Sequence, residues 1–307
     1  MKPFPLKTSL TVALAAALVA GAAPASASAA SPASAARAPR IPPGTTASYM
    51  VFDRQAGRAT LAYKTHSRFR SASVVKILIA IDYLESLKPG AAVPAADQAL
   101  LRTMLRSSDD AAASAFWNRR GKGAIVERMV RRLGLTDTAP PPASKPGFWG
   151  YTALSAADVV RTYRYLLDRA APKVRDLVLG HLRAATRCAS DDFDQYFGIP
   201  SAVPRPWAVK QGWSGYGSRP AVPCSGRRGS AQGTAAASTT TATAGAAVPG
   251  PVNLVRPVLH TTGLVGKDDR LIVVVLTLQP AGSSFKSSAA RLTSIARDVY
   301  LAGRPGG

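Results

Sequence analysis

The chain has 307 residues, with 39 Lys and Arg against 17 Asp and Glu, a formal net charge of +22, two cysteines and three histidines. Its basic residues are dispersed, and neither a groove-reading motif nor basic stripes interleaved with aromatics are present, which argues against nucleic acid as a partner. His66, His181 and His260 show no metal-ligand spacing, so no metal or other cofactor is expected.

At the N-terminus Lys2 and Lys7 precede an apolar run from Leu10 to Ala20, followed by the small-residue stretches Ala25-Ser-Ala27 and Ala27-Ser-Ala29. This predicts a secretory signal peptide over 1–29. The run is too short for a stable membrane anchor, and no cysteine near the cut offers a site for a lipid. The Ala/Ser/Pro-rich residues 30–45 read as a flexible leader. About 260 to 280 residues remain after cleavage, enough for one large domain or two interleaved lobes. A secreted, monomeric protein is expected, held near anionic cell-wall polymers by its basic surface. Cys188 and Cys224 fit an oxidising compartment, and a bridge between them is favoured over two free thiols.

Thr46–Asp53 and Ala59–Tyr63 are β-prone runs around Arg54-Gln-Ala-Gly57, predicting a hairpin. Ser73 to about Leu87 is apolar almost all round, as in a helix buried between other elements. Helical patterns follow at 96–105, 111–118, 123–133, 155–169 and 173–185, the fourth opening with the capping box Ser155-Ala-Ala-Asp158. Strands are predicted at 207–213, 258–265 and 270–278, the last two joined by a turn at Gly266–Asp269. The Ala/Thr/Ser/Gly-rich stretch 229–250 reads as a disordered insertion. A closing helix runs from about Ser284 to Leu301. Strands from both ends of the chain therefore share one antiparallel sheet: 46–70 and 206–307 make an α/β lobe, and 71–205 a helical lobe inserted into it.

Three pieces of chemistry lie along this order. Ser73-Val-Val-Lys76 opens the buried helix, Ser108-Asp-Asp110 lies between two helices, and Lys210-Gln-Gly212 occupies the first strand after the helices, continuing into Trp213. Serine and lysine three apart share a helix face, and burial lowers a lysine's pKa toward the range of a base that can activate a hydroxyl. A second such pair, Ser283 and Lys286, opens an amphipathic helix with no companion motifs and reads as an N-cap and a surface lysine.

Together the three pieces resemble the S-x-x-K, S-D-N and K-T-G set of class A serine β-lactamases and penicillin-binding proteins. The resemblance spans nearly the whole mature chain, including the strand order and the closing helix. It implies an antiparallel sheet flanked by helices, with Ser73 as nucleophile, Lys76 as its base and Ser108 as proton shuttle. Lys210, Gln211 and Gly212 would bind the substrate carboxylate, with the Ser73 and Trp213 N–H groups as oxyanion donors. The implied partner is a β-lactam or a peptidoglycan stem peptide ending in D-Ala-D-Ala. The pattern also departs from the family. The water-activating glutamate of the E-x-x-L-N loop is missing, for Glu85 and Glu127 fall elsewhere and residues 136–150 offer only Asp137. Asp110 replaces an asparagine and Gln211 a threonine. The expectation is an exported acyl-serine hydrolase with weak deacylation; the alternative is a non-catalytic descendant that binds cell-wall fragments or lactams.

Overall fold

A computed structural model describes residues 38–226 and 252–305. The expected signal peptide, leader residues 30–37 and the expected insertion at 229–250 lie outside the described residues. Five strands, β1 (Thr46–Asp53), β2 (Arg58–Tyr63), β5 (Trp207–Ser214), β6 (Val258–Val265) and β7 (Leu271–Leu278), form an antiparallel sheet in the order β2-β1-β7-β6-β5. Between β2 and β5 lie the short strands β3 (Phe69–Arg70) and β4 (Ala153–Leu154), which pair with each other, and seven helices. These are α1 (Lys76–Glu85), α2 (Ala95–Arg106), α3 (Asp110–Arg119), α4 (Gly123–Leu133), α5 (Ala156–Asp168), α6 (Pro172–Arg183) and α7 (Ile199–Ala202). Helix α8 (Phe285–Gly303) closes the fold.

The run Leu271-Ile-Val-Val-Val-Leu-Thr-Leu278 is apolar without alternation because β7 lies between β1 and β6 and is covered on both faces. Its residues 271, 273 and 275 pack with Leu292, Ile295, Ala296 and Val299 of α8, while 272, 274 and 276 join the helical core on the other face, the two-residue period of a strand. Helix α1 is the centre of that second core. Ile77, Leu78, Ile79, Ile81 and Leu84 are all buried, each contributing about 1.5–3 kcal/mol relative to an exposed position. Among the described residues no helix is long and apolar enough to cross a membrane.

Local differences from the sequence expectations have physical reasons. The helix expected from Ser73 begins as a 3₁₀ turn at Ala72–Val75 and becomes α only at Lys76. The Ser155 hydroxyl caps α5 by accepting from the Asp158 N–H, but the Asp158 carboxylate does not reach back. It accepts instead from the Thr136 and Asp137 N–H groups and the Thr138 hydroxyl, fastening that segment to the helix. Helix α8 is capped by Ser284, one residue beyond the expected Ser283, and Lys286 is exposed. Strands β3 and β4 and helix α7 are too short to produce a readable periodicity.

Candidate active site

The edge strand β5 runs alongside the 3₁₀ turn that carries Ser73. A Cβ at Gly212 would stand 3.0 Å from the Ser71 carbonyl oxygen and 3.3 Å from the Ser73 nitrogen, so glycine allows the two backbones this approach. Ala72, immediately before Ser73, has φ +44°, and Ser108 has φ +57°. Both are non-glycine residues in the left-handed region, a conformation that costs on the order of 1–3 kcal/mol and clusters at functional sites.

Ser108 is where the three sequence pieces meet. The fully buried Lys76 ammonium donates to the Ser108 carbonyl at 2.6 Å and lies 3.3 Å from its hydroxyl. The Lys210 ammonium, also buried, donates to the same hydroxyl at 2.8 Å and to the Gln211 carbonyl at 3.2 Å. A serine oxygen has two lone pairs and one proton. With a lysine on each lone pair, the Ser108 O–H remains free to point at a reacting atom. Ser73 is buried, at 6 % exposure.

Burial pushes the Lys76 ammonium down from its ordinary value, opposed by Asp110, Asp191 and Asp109. Lys210 is pushed well below its ordinary value by burial and then by the charge of Lys76. Two ammonium groups sharing one hydroxyl in a dry site disfavour double charging. Asp110 Oδ1 lies 2.6 Å from Lys76 Nζ, so the charge rests preferentially on Lys76, and Lys210 sheds its proton more readily.

The remaining acids are placed as follows. Glu85 accepts from Tyr165 and pairs with Arg132, and Glu127 is exposed on α4. Asp137 pairs with His66 at 2.8 Å and accepts from the Ser155 hydroxyl at 2.7 Å. The loop bearing Asp137 instead presents Trp149 to the lysine. The Trp149 ring lies 4.6 Å from Lys76 Nζ, and its indole N–H donates to Ser114 at 3.2 Å.

One expectation is corrected. The Gln211 side chain does not line a substrate pocket, for it is 1 % exposed and its amide donates to the carbonyls of Gln195, at 3.2 Å, and Phe197. Neighbours along a strand point to opposite faces, so Lys210 toward Ser108 sends Gln211 the other way.

Sequence reasoning missed Asp191. Residues 187–195 form a hairpin-like turn, with Ala189 N–H to Phe193 O and Gln195 N–H to Arg187 O. Cys188 is bonded to Cys224, with Cα atoms 5.4 Å apart. Ser190 donates its N–H to the Ser107 carbonyl at 2.7 Å, and the two hydroxyls are 3.1 Å apart. Asp191 accepts from the Trp213 indole N–H at 3.1 Å. Burial raises its carboxyl above the usual range, with Asp110 adding to the rise and the Phe193 and Trp213 donors opposing it. The spacing of Cys188 from Asp191 was the available signal, since a bridged cysteine fastens its neighbours to a second segment.

No family model matches the chain. It is 32% identical over 267 residues to "Putative lipoprotein LppW" of Mycobacterium tuberculosis strain H37Rv, covering 85% of this chain and 71% of the relative, and equally to the Mycobacterium bovis protein of that name. Solved structures give the fold. A β-lactamase from Burkholderia vietnamiensis has TM-score 0.58 at 18% identity, covering 86% of this chain and 93% of that one. PBP-A in its acyl-enzyme complex with penicillin G has TM-score 0.56 at 14% identity, covering 85% and 90%. The class A β-lactamase of Mycobacterium abscessus has TM-score 0.56 at 18% identity, covering 84% and 94%. The chain therefore belongs to the LppW family, and its fold is that of class A β-lactamases and PBP-A.

Proposed function

We propose that the chain is an exported acyl-serine hydrolase of the cell envelope, acting on a β-lactam or a D-Ala-D-Ala-type amide. The observation that carries this reading is the Ser108 hydroxyl held by both buried lysines beside the turn of Ser73. Ser73 Oγ attacks the amide carbonyl carbon while its proton passes to Lys76 in the fraction of molecules that burial leaves with a neutral amine there. The Ser73 and Trp213 N–H groups receive the oxyanion. The free O–H of Ser108 gives its proton to the departing nitrogen and is resupplied by Lys76, so the C–N bond breaks as the acyl–Ser73 ester forms. Release of the acyl group is slow, because an indole and not a carboxylate faces Lys76 from the 136–152 segment. The lipoprotein relatives and the basic surface support a place at the envelope.

A second reading, a binding protein without turnover, is favoured by one contact. The 2.6 Å pair with Asp110 favours the charged form of Lys76, which cannot act as a base. Intact-mass measurement with millimolar penicillin G separates the two. The enzyme reading expects an adduct of one acyl group, localised to Ser73 by peptide mapping and lost in Ser73→Ala. Binding of the ligand without an adduct, unchanged in Ser73→Ala, supports the binding reading instead.

A further inference from the structure

The resemblance that suggests an acyl-serine mechanism also assigns a pocket for a substrate carboxylate, formed by the lysine, the residue after it and the start of the following strand segment. In this chain the lysine and the residue after it are both engaged within the protein. Gln211 has turned its amide onto the carbonyls of Gln195 and Phe197. Lys210 is 1 % exposed, and its ammonium is engaged by the Ser108 hydroxyl and the Gln211 carbonyl. The nearby Arg70 guanidinium is likewise buried, donating to the carbonyls of Asn253, at 2.7 Å, and Ser214, at 3.3 Å.

A carboxylate of the protein stands in the same region. Asp191 is fixed from three sides: Ser190 is bonded to Ser107, the residue before the shared hydroxyl; its own oxygen accepts from the Trp213 indole; and Cys188 anchors the turn covalently. Its field is felt by Lys76, Lys210 and Asp110. Asp110 and Asp191 are set against Lys76 and against a Lys210 that readily sheds its proton, so no net positive charge is left to attract an anion. A second anion brought to this end would meet Asp191 in a partly dry site, where like charges repel strongly.

We propose that Asp191 is a specificity-determining residue that excludes a free carboxylate at the leaving-group end, so that the cleft takes acyl donors neutral there, such as amidated or esterified D-amino acid ends. This rests on the acyl-serine reading above and narrows its substrate class. Acylation then proceeds with the same bond changes: the carbonyl carbon gains the Ser73 Oγ bond and loses its bond to nitrogen, which leaves with a proton from Ser108.

The test uses one pair of acyl donors, penicillin G and its methyl ester, which differ in that carboxylate. Second-order rates of adduct formation on Ser73 are read by intact mass for wild type, Asp191→Asn and Asp191→Ala. Asp191→Asn keeps an acceptor for the Trp213 indole and removes the charge. It is expected to raise the rate with the free acid roughly tenfold and leave the ester rate within about twofold, the size of a screened like-charge repulsion at this kind of site. The ester rate also reports whether each variant is folded and competent. Equal changes on acid and ester, or no change on the acid, would overturn the assignment. If Asp191→Ala slows both donors while Asp191→Asn separates them, the indole contact positions the strand and the charge still selects. No adduct with either donor on wild type overturns the acyl-serine reading itself, and this inference with it.

Discussion

Replacing Asp110 by asparagine tests whether Lys76 works as a base. The carboxylate oxygen lies 2.6 Å from a fully buried ammonium, and Asp110 is the main group opposing the fall of the Lys76 pKa. Two unit charges about 4 Å apart interact by about 4 kcal/mol at an effective dielectric of ~20 and by about 1 kcal/mol in water. The Asp110 side chain is 68% exposed, which places the pair toward the weaker limit. We take about 1–2 kcal/mol, or about one pH unit. Asp110 favours the ammonium form, so its neutralisation lets burial act with less opposition and lowers the Lys76 pKa further. The neutral fraction at pH 7 then rises roughly tenfold, and the acylation rate with it. The rising limb of the pH–rate profile moves about one unit toward acid. The assay is adduct formation on Ser73 from about pH 6 to 9 with a single acyl donor, alongside thermal melting of both proteins. An Asp110→Asn protein that melts normally and acylates with an unchanged rate and limb would refute the assignment of Lys76.

Two further predictions concern stability. The Cys188–Cys224 bridge spans 36 residues, and its removal by serine at both positions is expected to lower unfolding free energy by about 4 kcal/mol in the chain-entropy account; a loss under about 1 kcal/mol by chemical denaturation would contradict it. His260 is buried and neutral, its Nδ1 accepting from the Thr277 N–H at 3.1 Å while Nε2 meets the Arg70 carbonyl at 2.9 Å. Burial pushes it from 6.5 to about 4. Because the unfolded chain takes the proton first, its contribution is complete above the unfolded value and is lost as pH falls from 6.5 toward 4. About 2 kcal/mol should disappear between about pH 7 and pH 5, seen as a lower urea midpoint; a midpoint constant over that interval would contradict the neutral assignment.

Much of the fold was legible because its central elements are extreme. The apolar circumference of 77–84 has no stable place except between other elements, and the unbroken β7 run requires cover on both faces. Strands at both ends of the chain then leave little choice but a shared sheet. The three motifs were legible as separate pieces, and the lysines of two of them meet at the serine of the third. Gln211 was misread although the two-residue period of a strand already sets it against Lys210. Trp149 was out of reach for a different reason, and Asp191 was signalled only by its nearness to the bridged Cys188. Their roles arise only in the folded chain, through the Trp149 ring over Lys76, 73 residues away, and through the bonds of Ser190 to Ser107, 83 residues away.

The left-handed backbone of Ala72 has a consequence for engineering. A glycine there would adopt the same dihedral without steric penalty, so a screen for heat resistance should favour it. The same change multiplies the shapes open to the residue before Ser73, loosening the seat of its hydroxyl. Selection for thermal endurance and selection for turnover would therefore pull this position in opposite directions.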